Sequence, residues 1–340
     1  MKLSKKYVIG THVMFYEIEM YKEFIDGLIN LIEPVENKEN IYLQFCFNTS
    51  QYFEKIDTSK VDLHQLYDKF YNGIQKLKDI DVPERNIIIV LKTDNDPIYN
   101  VADYRRDLNY NYCTRVDYIM WGETDSFFPK EAFVAIESIA QYGSNANIHK
   151  YLISFADRKM WDDSWRVTEH VDYENVKFID TPDQVNNKNY AKSQLSIEEM
   201  NAVNSKTINF DIVTLSQPKI DGSCLVLSSD LIKSGVNLPH SLLLYGDDSS
   251  IGVIAKQIMG DKFIQFVVKN LLKVHARRHP NKRLYILNED NPRGFCGDKK
   301  GLWSNILDQH SKFNLHNIIN SQNKFFTFKD VFDKINKNEN

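Results

Sequence analysis

Two short acidic stretches in this 340-residue chain carry the residue types that cation and proton chemistry need. The first is VDYIMWGETDS, in which an apolar run delivers Glu123 and Asp125 at alternate positions. Alternate residues of an extended chain point to the same side, so these two carboxylates are placed to share a divalent cation. Hard oxygen donors suit Mg2+ or Mn2+, and a cation held this way can clamp a diphosphate. A plainer reading exists, in which Asp125 and Ser126 only prepare the helix that opens near Pro129. The second stretch is YGDD, with Asp247 and Asp248. The residues after it, Ile251, Val253, Ile254 and Ile258, have helical spacing, which predicts a helix capped by Ser249 or Ser250 rather than a returning strand.

The elements that must position these groups are legible as alternating apolar runs and helical patterns over the first 125 residues, the signature of βαβ units and a parallel sheet. KYVIGT (6–11), IYLQFCF (41–47), NIIIVL (86–91) and VDYIMW (116–121) are strands. Helices follow the first through Phe24, Leu28 and Ile32, the second through Leu63, Phe70 and Leu77, and the fourth from Pro129 to Gly143. The stretch KTDNDPIYNVADYRRDLNYNY is read as a polar connection. YLISFA (151–156) is a further strand, residues 157–205 a long irregular insertion, and INFDIV, SCLVLS, LLLY, FIQFVV and LKVHA the strands that follow it.

In an open α/β sheet the ligand crevice lies beyond the carboxyl ends of the strands. Four successive ends are polar here: Thr11 and His12; Asn48, Thr49 and Ser50; Lys92, Thr93, Asp94 and Asp96; and Gly122, Glu123, Thr124 and Asp125. One such end means little, because turns favour these residues for local reasons. Four together point to a shared polar site.

Bulk composition is that of a globular protein, with 42% hydrophobic and 26% charged residues. No apolar run approaches the roughly 20 residues of a membrane-spanning helix, and the start MKLSKKYVIG lacks a signal-peptide pattern, which predicts a soluble cytoplasmic protein. Cys46, Cys113, Cys224 and Cys296 are too scattered for a disulfide framework or a zinc knot. The net charge of -4 hides a basic C-terminal third. Its densest piece, HARRHPNKR (275–283), is either a phosphate contact or a solvated turn. The histidines of HARRH stand at helical spacing for zinc, with no third ligand in view.

The order of apolar strand, acidic-x-acidic turn, helix, polar insertion and acidic pair before a helix resembles the GT-A glycosyltransferases of the inverting family-two type, with ETD in place of the commoner DxD. The resemblance runs over about residues 5–280. It implies a Rossmann-like α/β fold with a mostly parallel central sheet flanked by helices, here a catalytic domain over 1–285 and a helical extension over 286–340. It implies transfer of a sugar from a nucleotide-sugar donor, a UDP-sugar being one candidate, to an acceptor hydroxyl with inversion. Carried onto this chain, Asp125 is the metal ligand, joined by Glu123 and His275. Thr11, Asp94 and Asp96 meet the base or ribose, and Arg105 lies near the donor. Arg277 and Arg278, with Lys282 and Arg283, neutralise the leaving diphosphate. Asp247 and Asp248 supply the base, Asp248 being preferred, and residues 157–205 with DGSCLVLS (221–228) shape the acceptor site. The acceptor is open among a glycan, a lipid, a protein and a modified DNA base.

Three alternatives stand beside this reading. A nucleic-acid polymerase would carry YGDD on a hairpin tip, a metal-dependent nuclease would gather the same carboxylates, and a non-catalytic nucleotide- or glycan-binding module would share the fold without the chemistry.

Overall fold

The computed structural model describes residues 1–50, 62–97, 99–158, 160, 163–175, 195–240, 242, 246–276, 302–320, 322, 324, 326–327 and 330–331. Its centre is an eight-stranded sheet in the order β3-β2-β1-β4-β8-β6-β9-β7. The strands are β1 Tyr7–Met14, β2 Ile41–Asn48, β3 Ile87–Lys92, β4 Tyr118–Gly122, β6 Leu152–Ala156, β7 Ile212–Leu215, β8 Leu225–Ser228 and β9 Gln265–Leu272. β1 pairs in parallel with β2 and β4, β2 with β3, and β6 with β9. Only β8 and β7 run against their neighbours. A second, two-stranded sheet joins β5 Ser126–Phe127 to β10 Val274–His275.

Helices cover both faces, which is why the central strands are apolar throughout instead of alternating. Helices α1 Ile18–Ile32, α2 Leu63–Asp79 and α4 Ala132–Asn145 close one apolar core around Ile9, Leu43, Phe45 and Met120. The other core is closed by α3 Val101–Tyr112, the short α6 Ser229–Lys233 and α7 Asp247–Met259 over Val8, Trp121, Leu225 and Leu227. Between them in sequence, α5 Ile197–Asn204 buries Met200 on Phe127 and Val274 of the small sheet. The α5 residue Asn204 also exchanges two hydrogen bonds with the backbone of Leu272. Helix α8 spans Leu302–Ile319. Among the described residues no helix is long and apolar enough to cross a membrane.

Several expectations need correction. The stretch read as a polar connection contains α3, whose N-terminus is closed by a capping box between Asn100 and Asp103. β1 does not end at Thr11: parallel pairing with β2 continues to Met14, so Thr11 and His12 lie inside the strand. The strand expected at 208–213 begins at Ile212, and LKVHA is divided between the end of β9 and β10. The insertion 157–205 holds short 3-10 turns at Asp163–Thr168 and Val171–Tyr173 as well as α5. Ser249 and Ser250 do not cap α7; the helix starts at Asp247, preceded by Gly246 at φ 82°, a left-handed conformation that glycine adopts without steric cost. Most of LLLY, the basic residues from 277 to 283 and much of the expected extension over 286–340 lie outside the described residues.

Candidate active site

The sheet topology brings distant segments to one edge. β4, β6 and β9 run the same way, so their carboxyl ends deliver Glu123 and Asp125, Asp157, and Lys273 with His275 to that edge. β8 is antiparallel to β4 and β6, so the residues leading into it, Asp221 and Ser223, arrive there too. The N-terminus of α7 adds Asp247 and Asp248.

Glu123, Asp125 and His275 each offer a donor atom, and these atoms lie within 4.8 Å of one another. The His275 Nε2 is 3.2 Å from Glu123 Oε2 and 3.7 Å from Asp125 Oδ2. The turn that sets this up is fixed locally, because the Ser126 N–H donates to the Glu123 carbonyl and the Ala276 N–H to the Asp125 carbonyl. The two carboxylates suit Mn2+ or Mg2+, and the imidazole nitrogen makes Mn2+ the better match, so these residues fit the cation that the resemblance implies.

Arg105, delivered by α3 and 3% exposed, joins the two acidic motifs. Its Nη2 donates to Glu123 Oε1 at 2.5 Å and to the Gly222 carbonyl at 3.2 Å, while its Nη1 donates to Asp247. The guanidinium lies 4.5 Å over the Trp121 ring, whose indole N–H is held by Asn109. Gly222 allows this close approach: a Cβ there would fall 2.6 Å from Arg105 Nη1 and 3.2 Å from the Asp248 Cβ.

The electrostatics divide the carboxylates. Burial works against the charge on Glu123, but the Arg105 guanidinium and His275 outweigh it and hold this carboxyl well below its usual range. Half-buried Asp248 is pushed up to about 7, first by burial and then by the Asp247 and Asp221 carboxylates beside it. The Ser249 N–H donates to its Oδ1 at 2.6 Å. A carboxyl with that value is poised to exchange a proton near neutrality.

The remaining sequence-selected residues are placed as follows. Thr11 is fully buried beside Gly122, its strand neighbour, and its hydroxyl has no partner among the described residues. Asp96 accepts from the N–H and hydroxyl of Thr93, closing the turn in which Asp94 also sits. Neither is among the residues brought to the cation bay. Arg277 and Arg278 lie outside the described residues. Beside Thr11, His12 stacks on Tyr104 and is lowered to about 3 by burial and by the charge of Arg105, so it stays neutral. The polymerase alternative required a hairpin tip, whereas Asp247 and Asp248 stand on the first turn of a helix, where the helix dipole favours negative charge.

Sequence reasoning missed Asp157 and Lys273 as site residues, and Asp221 comes from the stretch expected at the acceptor. The Lys273 ammonium, 2% exposed, donates to Asp221 Oδ2, the Ser223 hydroxyl and the Ser223 carbonyl, each at 2.7 Å, and lies 3.4 Å from Asp157. A lysine one residue past a strand and two before a histidine was the available signal.

No protein-family model matches the chain, and no curated protein matches it. Solved structures resemble it in outline. The mannosyltransferase PcManGT from Pyrobaculum calidifontis, in complex with GDP-Man and Mn2+, is 9% identical over 97% of this chain and 68% of its own, with a TM-score of 0.49. TarS from S. aureus is 10% identical over 79% of this chain, with a TM-score of 0.42. A TarS 1-349 structure with UDP-GlcNAc is 11% identical over 79% of this chain and 57% of its own, with a TM-score of 0.39. The chain spans 36% of the longer TarS chain.

Proposed function

We propose that this chain is a cation-dependent GT-A-type glycosyltransferase, with one catalytic domain over 1–285 and a helical extension over 286–340, that moves a sugar from a nucleotide-sugar donor to an acceptor hydroxyl with inversion. The observation that carries the reading is the pairing of an O,O,N donor set with a separate carboxyl, Asp248, raised to about 7, one buried arginine tying Glu123 of the set to Asp247 next to that carboxyl.

Asp125, Glu123 and His275 would hold Mn2+ or Mg2+, which when bound supplies positive charge to the diphosphate of the donor. Asp248 takes the proton of the acceptor hydroxyl as that oxygen attacks the sugar carbon from the face opposite the leaving group. Its raised value makes it a stronger base than an ordinary carboxylate while leaving it ionised in a large fraction at neutral pH. Asp247 is tied to Arg105, so the proton goes to its neighbour. Arg105 holds Glu123 ionised, pairs with Asp247, and fixes the spacing between the cation side and the acceptor side. The basic residues Arg277 and Arg278, two and three positions past His275, would meet the departing nucleoside diphosphate, and Thr11 with Asp94 and Asp96 its base or ribose.

The test is a thermal-shift panel of nucleotide sugars, UDP-GlcNAc and GDP-mannose included, with and without Mn2+, on the wild type and Asp125→Ala. A ligand that binds only the native state raises its melting temperature. One donor is expected to stabilise the wild type in a Mn2+-dependent way and to lose that effect in the variant. No stabilisation by any nucleotide under any metal condition would overturn the reading.

A further inference from the structure

The cation bay has a second layer of side chains. His275 presents Nε2 to Glu123 and Asp125, and its Nδ1 lies 3.0 Å from Asp221 Oδ2. Asp221 reaches this position because β8 is antiparallel to its neighbours, as shown above. The same oxygen accepts from the Lys273 ammonium at 2.7 Å. Lys273 and His275 are two residues apart on an extended segment, so both side chains meet one carboxylate from the same side.

We infer that Asp221 is a positioning residue for the cation: it accepts the Nδ1 proton of His275, fixes the imidazole plane, and leaves the Nε2 lone pair aimed into the bay. A histidine that binds a metal through one nitrogen needs the other nitrogen protonated and held, and outer partners of this kind typically contribute about 10- to 100-fold in metal affinity. Lys273 completes the arrangement by keeping Asp221 turned to His275 and away from the cation. The α5 helix supports the segment from outside, through Met200 on Val274 and Asn204 on Leu272. The inference rests on the cation site of the proposed function and deepens it.

The experiment measures Mn2+ affinity of the full chain by electron paramagnetic resonance of the free ion, with Mn2+ alone as the probe. Asp221→Ala is expected to weaken binding by about 10- to 100-fold, and Asp221→Asn, which keeps an acceptor oxygen, to recover part of the loss. In a His275→Ala background, Asp221→Ala is expected to have no further effect, which separates positioning from the plain removal of a negative charge. Independently of any substitution, long-range 1H–15N spectra of the Mg2+-loaded wild type should place the His275 proton on Nδ1. Equal Mn2+ affinity in wild type and folded Asp221→Ala, an undiminished effect without His275, or a proton on Nε2 overturns the inference and leaves the transferase reading standing. A wild type that binds no Mn2+ overturns the inference and the cation part of that reading together.

Discussion

Glu123 and Asp248 carry the same functional group at one site, yet their surroundings push them in opposite directions. Glu123 sits on the cation side, where Arg105 and His275 oppose the cost of burial and hold it ionised. Asp248 sits on the helix side, where burial is reinforced by two neighbouring carboxylates and the carboxyl rises to about 7. Arg105 lies between the two and spends its hydrogen bonds on Glu123, Asp247 and Gly222. The difference teaches that the division of labour between ligand and base comes from neighbours rather than from residue type, since titratable groups driven apart by their environments are the usual mark of an acid or base pair.

The largest expected effect of breaking this contrast is at the base. Asp248→Asn should lower kcat by about 100- to 10,000-fold, the range typical of general base removal, while the donor still stabilises the protein in a melting assay. Equal losses in donor binding and turnover would instead put Asp248 on the donor side.

Removing the arginine strikes both sides at once. Arg105→Met leaves Glu123 and Asp247 without their shared partner, and breaking a buried ion pair costs about 3–5 kcal/mol, so urea unfolding should show a loss of that order. Arg105→Lys should lose less, because an ammonium cannot reproduce the planar fork but keeps the charge. An unchanged unfolding midpoint for Arg105→Met would show that the two motifs do not depend on it.

On the cation side alone, Asp125→Ala should weaken Mn2+ binding by about 100-fold or more, beyond the cost of losing an outer partner, and leave unfolding in the absence of metal nearly unchanged. Calorimetric titration of Mn2+ checks the first part. A variant that binds Mn2+ as the wild type does would move the cation elsewhere.

The last effect concerns pH and stability. The folded value of Asp248 near 7 exceeds the unfolded aspartate value of about 3.9. Below both values the proton is bound in either state and nothing is lost. As pH rises from about 4 to 7 the unfolded chain releases that proton first, so stability falls over this window. Asp248→Asn removes the penalty and should melt above the wild type at pH 8, with the gap closing toward pH 4. A gap that does not depend on pH would place its cause outside this carboxyl.

The parts of the fold and site that could be read in advance were those with strong local patterns. β2 and β3 are continuous apolar runs, and both were placed to within a residue of Ile41–Asn48 and Ile87–Lys92. The Glu123 and Asp125 pair was legible from an apolar strand that ends in alternate acids, although the chain turns there, the Ser126 N–H donating to the Glu123 carbonyl, instead of staying extended, and the helix after Gly246 was legible from its apolar spacing. Helix α3 was hidden because its buried face mixes Ala102, Leu108 and Tyr112 with Arg105 and Asn109, so site chemistry interrupts the hydrophobic period. The spacing of Asn100 and Asp103 was the overlooked signal, a capping box without a hydroxyl residue. The grouping of Lys273 with Asp221 and Asp157 was illegible for another reason, although the spacing of Lys273 and His275 was itself in view. It exists only once β8 is reversed against β4 and β6, and antiparallel placement of a distant strand leaves no local trace in sequence.

The most direct test of the contrast between the two carboxyls is a side-chain 13C titration of the metal-free protein, with the Asp248 resonance assigned by its absence in Asp248→Asn. The account expects that carboxyl to titrate near pH 7 while the Glu123 carboxyl stays ionised to well below pH 4. An Asp248 midpoint near the ordinary aspartate value of about 4 would contradict it, because nothing would then distinguish the proposed base from the ligand.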